Sequence, residues 1–450
     1  MRMRLLVPLR LALCALAPAV AAAQADSVKP PAKVPFAFAD FTWLNGNSRQ
    51  TVSVLDSKYF TGEFRLDATY IYHFSHPSDH TLIGTSESGR TQEIQVQQLG
   101  IGGDFHAGHA RGRFMTQFGM YSTMTPRNDA SPGRGQWNLS DAYRYISEAY
   151  GGYHWDKWTG INFDAGIFLS YVGLFSYYNF DNWAYQPSYV SSNTPWFFNG
   201  IRIQIFPSDK LKIEPWIING WQSYGMFNST PGLGMQILYR PSGSVSMLTN
   251  DYWGRDALTT PDRKRWHTDN SLLVKYYDRP KGSITKAAFS LTLDLGCESG
   301  GGVSCSKNKP GAPAQYFLGV MLYNRVWFHK DRLALTLGGG AMQNPGRYLV
   351  LLPPINGATA VTGTPYFTES PGDRFAAWDA SVTFDYMPDE FATFRFELDR
   401  RGANVPYFSG PGGITPSTGN TGTPQVPVPG FTPDLQKTET RINLAVLVKL

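Results

Sequence analysis

The chain ends in Thr440-Arg-Ile-Asn-Leu-Ala-Val-Leu-Val-Lys-Leu450, and this stretch has a period of two. Ile442, Leu444, Val446, Val448 and Leu450 fall on one side, Arg441, Asn443, Ala445, Leu447 and Lys449 on the other. Successive side chains of a β-strand point to opposite faces, so this is a strand with one wholly apolar face and one mostly polar face. Ala392 to Arg401 repeats the beat, with Phe394, Phe396 and Leu398 against Arg395, Glu397, Asp399 and Arg401. So does Glu63 to Phe74, where Phe64, Leu66, Ala68 and Tyr70 oppose Glu63, Arg65, Asp67 and Thr69. Ile161, Phe163 and Ala165 oppose Asn162 and Asp164, and Ala287 to Leu295 opposes Lys286, Ser290, Thr292 and Asp294 in the same way.

Two kinds of connection separate such strands. Short ones carry turn residues: His106 to Arg111, Asp156-Lys157, Pro207 to Lys210, Pro241 to Gly243, Arg279 to Gly282, Lys330-Asp331 and Pro388 to Glu390. Long ones alternate with them, at 75–92, 122–142, 170–195, 221–232, 250–265, 296–314, 342–372 and 402–437. Seven short turns and eight long loops join 16 strands, with 14 or 18 as the neighbouring solutions. Short turns at one end and long loops at the other are the asymmetry of a transmembrane β-barrel, whose short turns are periplasmic and whose long loops are extracellular. Composition agrees. The chain is 14% aromatic and 17% charged, and past its first two dozen residues it has no apolar run of 18. The expected fold is therefore all-β, a closed antiparallel barrel. A soluble β-sandwich or propeller would turn its apolar face inward and would not need strands of about ten residues.

The first residues read as an export signal. Arg2, Arg4 and Arg10 precede or interrupt a mostly apolar run from Leu5 to Val20, and Ala21-Ala22-Ala23 supplies small residues for cleavage. The expected organisation is a signal peptide at 1–23, a periplasmic segment at 24–60 and the barrel at 61–450. Removing three arginines takes the formal charge from +5 to +2, so charge does not argue for a nucleic-acid partner.

A barrel of this width is too wide for wall side chains to fill. Candidate pore-lining residues are Glu63, Arg65, Asp67, Lys212, Glu214, Arg395, Glu397 and Asp399. The third long loop, Ser170 to Pro195, is rich in aromatics and holds a single charge, Asp181. Leu174, Phe175, Phe180 and Trp183 do not suit a solvated loop, so it is expected to fold inward, with Phe180, Asp181, Asn182 and Trp183 at a constriction. Cys297 and Cys305 flank a glycine run and read as a loop disulfide in an exported chain. No nucleophile elbow, zinc-protease motif or phosphate loop is present, so neither an enzyme nor a cofactor or metal is expected. His73, His76 and His80, and His106 with His109, read as ordinary surface residues.

Several longer runs carry a family resemblance. They are Trp43-Leu-Asn-Gly46 with Arg49-Gln50, MTQFGMYS from Met115, PRND from Pro126, RGQW from Arg134 and AYRYISEAYGGYHW from Ala142. FDNWAYQPSYVSSNTPWFFNG from Phe180, KIEPWIINGWQSYG from Lys212 and NPGRYLVLLPP from Asn344 complete them. The chain resembles the β-barrel porin-2, OmpL-like family of outer-membrane proteins over nearly its whole mature length. The polar inward faces point to a water-filled channel passing small hydrophilic solutes by passive diffusion, and the resemblance implies a porin-like protein of a Gram-negative outer membrane. It implies as partners the lipid bilayer, the barrel-assembly machinery and, by analogy with general porins, further copies of the chain. Where such barrels usually end in an aromatic residue, this one ends in Leu450. The alternatives are a substrate-specific transporter of apolar molecules, which needs an N-terminal hatch and an apolar lumen, and a structural or adhesive barrel without an open pore.

Overall fold

The computed structural model describes residues 34–132, 134–226, 228–258, 260–346, 348, 351–367 and 373–450. The expected signal peptide and residues 24–33 lie outside the described residues. Eighteen strands follow in order: β1 (Phe60–His73), β2 (Ile94–Ala107), β3 (Ala110–Thr116), β4 (Ile146–Trp155), β5 (Ile161–Leu169) and β6 (Phe197–Ser208). Next come β7 (Leu211–Ile218), β8 (Gly232–Ser242), β9 (Val245–Gly254), β10 (Lys264–Asp278), β11 (Ile284–Ser299) and β12 (Tyr316–Phe328). The last are β13 (Leu333–Gln343), β14 (Ala376–Tyr386), β15 (Ala392–Ala403), β16 (Phe408–Ser409), β17 (Leu435–Gln436) and β18 (Thr438–Lys449). Sixteen of them form one closed antiparallel barrel, each paired with its chain neighbour; β16 and β17 make a small ribbon in the last long loop. β18 returns to β1, in register from Arg65↔Lys449 to His73↔Arg441, and so closes the cylinder. Closure is what allows a sheet to cross lipid, because every unpaired backbone N–H or C=O in hydrocarbon costs several kcal/mol.

The two-residue beat sorts side chains as expected. In β18, Leu444 and Val446 are exposed on the outer wall, while Arg441, Asn443, Ala445 and Leu447 are buried within. In β15, Phe394, Phe396 and Leu398 face out, and Arg395, Glu397, Asp399 and Arg401 face in. Leu291, Leu293, Val320, Leu322, Leu337 and Val382 continue the outer apolar band. Exposed aromatics edge it: Tyr153, Tyr239, Tyr276 and Tyr386 towards the short turns, Trp253, Trp266 and Trp378 towards the long loops. This is the girdle arrangement of a membrane-spanning barrel.

Each of the seven expected turns and eight expected loops joins two successive barrel strands, although several strands extend into the stretches expected as connections. The wall around β9, β10 and β11 is taller than the sequence suggests. Pairing continues through Arg265↔Gly254 and Arg265↔Glu298 into stretches expected as loop. Above the apolar band the hydrophobic beat fades, yet the backbone still pairs, and Arg265 donates from Nε to Glu298 at 3.0 Å. Cys297 and Cys305 are bridged, with Cα atoms 5.0 Å apart, where β11 leaves the wall.

Two outcomes test this architecture. Val446→Arg places a charge on the lipid face and should cost roughly 2–4 kcal/mol in urea unfolding from lipid vesicles. The same change at Val426, exposed in the last loop, should leave the unfolding midpoint unmoved. In the unfolded chain, Cys297 and Cys305 should take up a thiol alkylating agent only after reduction, as read by intact mass.

Candidate functional site

The segment between β5 and β6 runs into the barrel. From Tyr171 to Phe198 nearly every residue is buried. A short helical turn, Asn179–Asp181, and a second, Tyr189–Ser192, shape it; Ser188 starts the second by accepting from the Val190 N–H. Aromatic and apolar side chains make this route favourable, because they leave water on entering. Its backbone polar groups find partners on the wall. Glu397 of β15 accepts from the N–H groups of Tyr185 at 2.6 Å and Gln186 at 2.7 Å. Asp379 of β14 accepts from the Ser188 hydroxyl at 2.7 Å and the Tyr189 N–H at 2.9 Å. Asp67 of β1 accepts from Asn179 at 3.0 Å and from the Tyr185 hydroxyl. Arginines hold the carbonyls: Arg395 donates to Asn179 and Asn182, and Arg325 to Trp183. The loop thus roots in β5 and β6 and is latched to β1, β12, β14, β15 and β18 across the lumen.

The four residues expected at a constriction sit on that far side. Phe180 packs with Tyr185, Ala445 and Leu447. Asp181 pairs with Arg65 at 2.9 Å. Asn182 offers its carbonyl to Arg395 at 2.7 Å, and Trp183 meets Trp327 edge-on with centroids 5.5 Å apart. Of the expected pore-lining residues, Arg65, Asp67, Arg395, Glu397 and Asp399 do face inward, but they lie buried beneath the loop or in ion pairs rather than against open water. Glu63 pairs with Arg65 and with Arg113 at 3.0 Å. Lys212 and Glu214, 3.0 Å apart, line an inward cavity of about 330 Å³ on the β6 to β10 side. A second cavity of about 260 Å³ lies beside β12 to β15, near the short turns. A third, about 240 Å³, opens among the long loops.

The part of the expected periplasmic segment that is described, Val34 to Tyr59, crosses the short-turn end as a strap. The Phe36 N–H reaches the Asp209 carbonyl at the β6–β7 turn, 2.8 Å away. Asp40 pairs with Lys286 at 3.1 Å. Burial alone would raise the Asp40 carboxyl, but the Lys286 ammonium and hydrogen bonds from Thr42 outweigh it and hold it below its ordinary value. Trp43 and Leu44 are buried, and Asn45 donates to Ser290 of β11 at 2.8 Å. Arg49 then donates to Thr393 of β15, and Gln50 to the Lys449 carbonyl. The Gly46 N–H bonds the Asp181 carbonyl at 2.9 Å, so strap and loop touch.

Sequence reasoning gave no site role to Asp379, Arg325 or Arg401, and it quoted the strap residues Trp43 to Gly46, Arg49 and Gln50 only for the family resemblance. For the first three the signal was present: each is an inward position of an alternating strand. At the long-loop end, Arg401 donates to the carbonyls of Ile83 and Gly84, and Arg127 to those of Leu352 and Ala358, so several loops fold over the mouth. The histidines are engaged separately. His73 bonds Glu439 at 3.1 Å, His76 bonds Tyr72 and Gln92, and His80 bonds the Thr91 carbonyl. Among the described residues no three His, Cys, Asp or Glu side chains are grouped to hold a metal ion.

A closed cylinder with an apolar outer band, aromatic girdles and an ionised inner wall is an outer-membrane β-barrel, with its short turns in the periplasm. Residues 60–426 match the family described as "Putative beta-barrel porin-2, OmpL-like", and the chain belongs to that family. No match is found among curated proteins. Among solved structures it is similar to OmpT of Vibrio cholerae, with 8% identity, 88% of this chain and 99% of that chain covered, and a TM-score of 0.49. It is also similar to an anion-selective porin from Comamonas acidovorans, with 9% identity, 87% and 99% covered, and a TM-score of 0.47. The outer-membrane channel DcaP of Acinetobacter baumannii shows 14% identity, 90% and 100% covered, and a TM-score of 0.46.

Glu397→Ala tests the latch. It strands the Tyr185 and Gln186 amides, at roughly 1–3 kcal/mol for each buried unpaired group. The barrel should still form, read by heat-modifiable gel mobility. Its melting temperature should fall, and protease cleavage within 170–196 should appear.

Proposed function

We propose that the protein is a narrow outer-membrane channel through which small hydrophilic solutes diffuse. The observation that carries this reading is the contrast between the two faces of one wall. The outer face is apolar, whereas the inner face bears Arg202, Gln204, Lys212, Glu214 and Gln236 around a cavity of about 330 Å³. Polar groups that line water-accessible space are fully solvated or paired, and they favour hydrated solutes over apolar ones. The inward loop and the strap narrow that space to chambers of a few hundred cubic ångströms, which suits solutes the size of an amino acid or smaller sugar. The strap gives the apolar-solute alternative one favourable observation, a hatch-like segment across the periplasmic mouth. The ionised wall weighs against it.

Purified protein in planar bilayers should give small, discrete conductance steps. Deleting Asn179 to Tyr185 should enlarge them several-fold, since it removes the part of the loop that reaches the far wall. A folded barrel with no steps, before or after the deletion, would leave a structural role. Vesicle swelling in fatty acid but not in sugars or amino acids would favour the apolar transporter.

A further inference from the structure

The inward cavity of about 330 Å³ is lined by three cations and two carboxylates: Arg202, Lys212, Arg240, Glu148 and Glu214. Four of these five are matched. Glu214 takes Lys212 at 3.0 Å, Arg202 reaches Asp164 at 3.0 Å, and Glu148 takes Arg113 at 2.9 Å. Arg240 is different. It is 5% exposed, and among the described residues no carboxylate lies within salt-bridge distance of it. Its Nε donates to the Ser246 hydroxyl at 3.3 Å, and its guanidinium sits over the rings of Phe41 and Phe36 at 4.4 and 5.0 Å. These contacts position the group without neutralising it. A buried cation of this kind is costly unless an anion or water completes it.

We propose that Arg240 is an anion-binding residue that receives the carboxylate of a small organic monocarboxylate entering the cavity. Guanidinium presents a planar fork matched to a carboxylate, and this one is held in place by the two strap rings. Leu238, Leu248 and Leu273 line the same cavity and supply an apolar surface for the body of such a solute. The strap borders the cavity through Leu44 to Asn47, and its Phe36 and Phe41 rings back the guanidinium. This deepens the channel reading, on which it rests for access to the cavity, by naming the class of solute that would be retained on the way.

Calorimetric titration of the detergent-solubilised, folded barrel with benzoate tests the site without requiring conduction. Saturable binding is expected, weakened about tenfold or more in Arg240→Gln. Benzyl alcohol, which has a similar body without the charge, should not bind. Ser246→Asp supplies the missing counter-ion beside Nε and should abolish benzoate binding even if the glutamine variant fails to fold. Binding that survives both substitutions, equal binding of benzyl alcohol, or none in the unaltered protein overturns the proposal. Benzoate binding without conductance would leave the site standing and remove the channel.

Discussion

Hydrocarbon supplies no hydrogen-bond partner, and every feature of this molecule follows from that. The sheet has no free edge because β18 pairs with β1 through nine successive positions. Phe64 and Leu450 exchange backbone hydrogen bonds at 3.1 and 2.9 Å, so even the last residue of the chain is used in the seam. With the edges joined, the outer side chains are free to be apolar, and the two-residue pleat sends every alternate residue inward. The polar face of the wall is therefore a geometric consequence of the apolar one. It is not a separate invention for transport.

Sixteen strands enclose more volume than their own side chains can occupy, and here the chain itself fills much of it. Loop residues 170–196 carry the aromatic bulk, with Phe175 on Tyr323 and Trp183 on Trp327. Bringing backbone into the lumen creates its own demand, because each buried N–H and C=O needs a partner. The charged wall meets it. Glu397 and Asp379 accept loop amides, while Arg325 and Arg395 donate to loop carbonyls. These buried ions are retained by different means: Glu397 and Asp379 are held by hydrogen bonds from the loop and the wall, whereas Arg325 at 2.8 Å and Arg395 at 2.6 Å both pair with Asp385.

The barrel was legible in the sequence because its rule is local and repeats. Ile442 to Leu450 and Phe394 to Arg401 show their facing by period alone, and Pro, Gly and Asp mark the turns. The inward course of 170–195 was legible for a different reason, since Leu174, Phe175, Phe180 and Trp183 together have no stable place in water. What period could not reveal is how inward charges are used. Glu397 looks the same whether it meets a solute or the amides of Tyr185 and Gln186, because the partner lies more than two hundred residues away. The strap was hidden for a similar reason. Residues 34–59 have no β-alternation to read, and only the pair Trp43-Leu44, too apolar for a solvated lead-in, hinted at burial.

Strap and loop behave as one filling, and Gly46 shows why. It sits at φ 71°, a left-handed conformation in which glycine is at ease. A Cβ there would come within 2.6 Å of the Leu174 carbonyl oxygen and 3.0 Å of the Ser176 nitrogen. The two backbones therefore pass at a distance that only glycine allows, and the Gly46 N–H binds the Asp181 carbonyl at the crossing. The cavity around Arg240 is bounded by both, with Leu44 to Asn47 on one side and Tyr171 to Tyr177 on another. Its size is thus set by a contact between segments that are remote in sequence and joined through no strand. Widening this cavity therefore requires moving two elements together, because strap and loop bound it jointly and are bonded to each other.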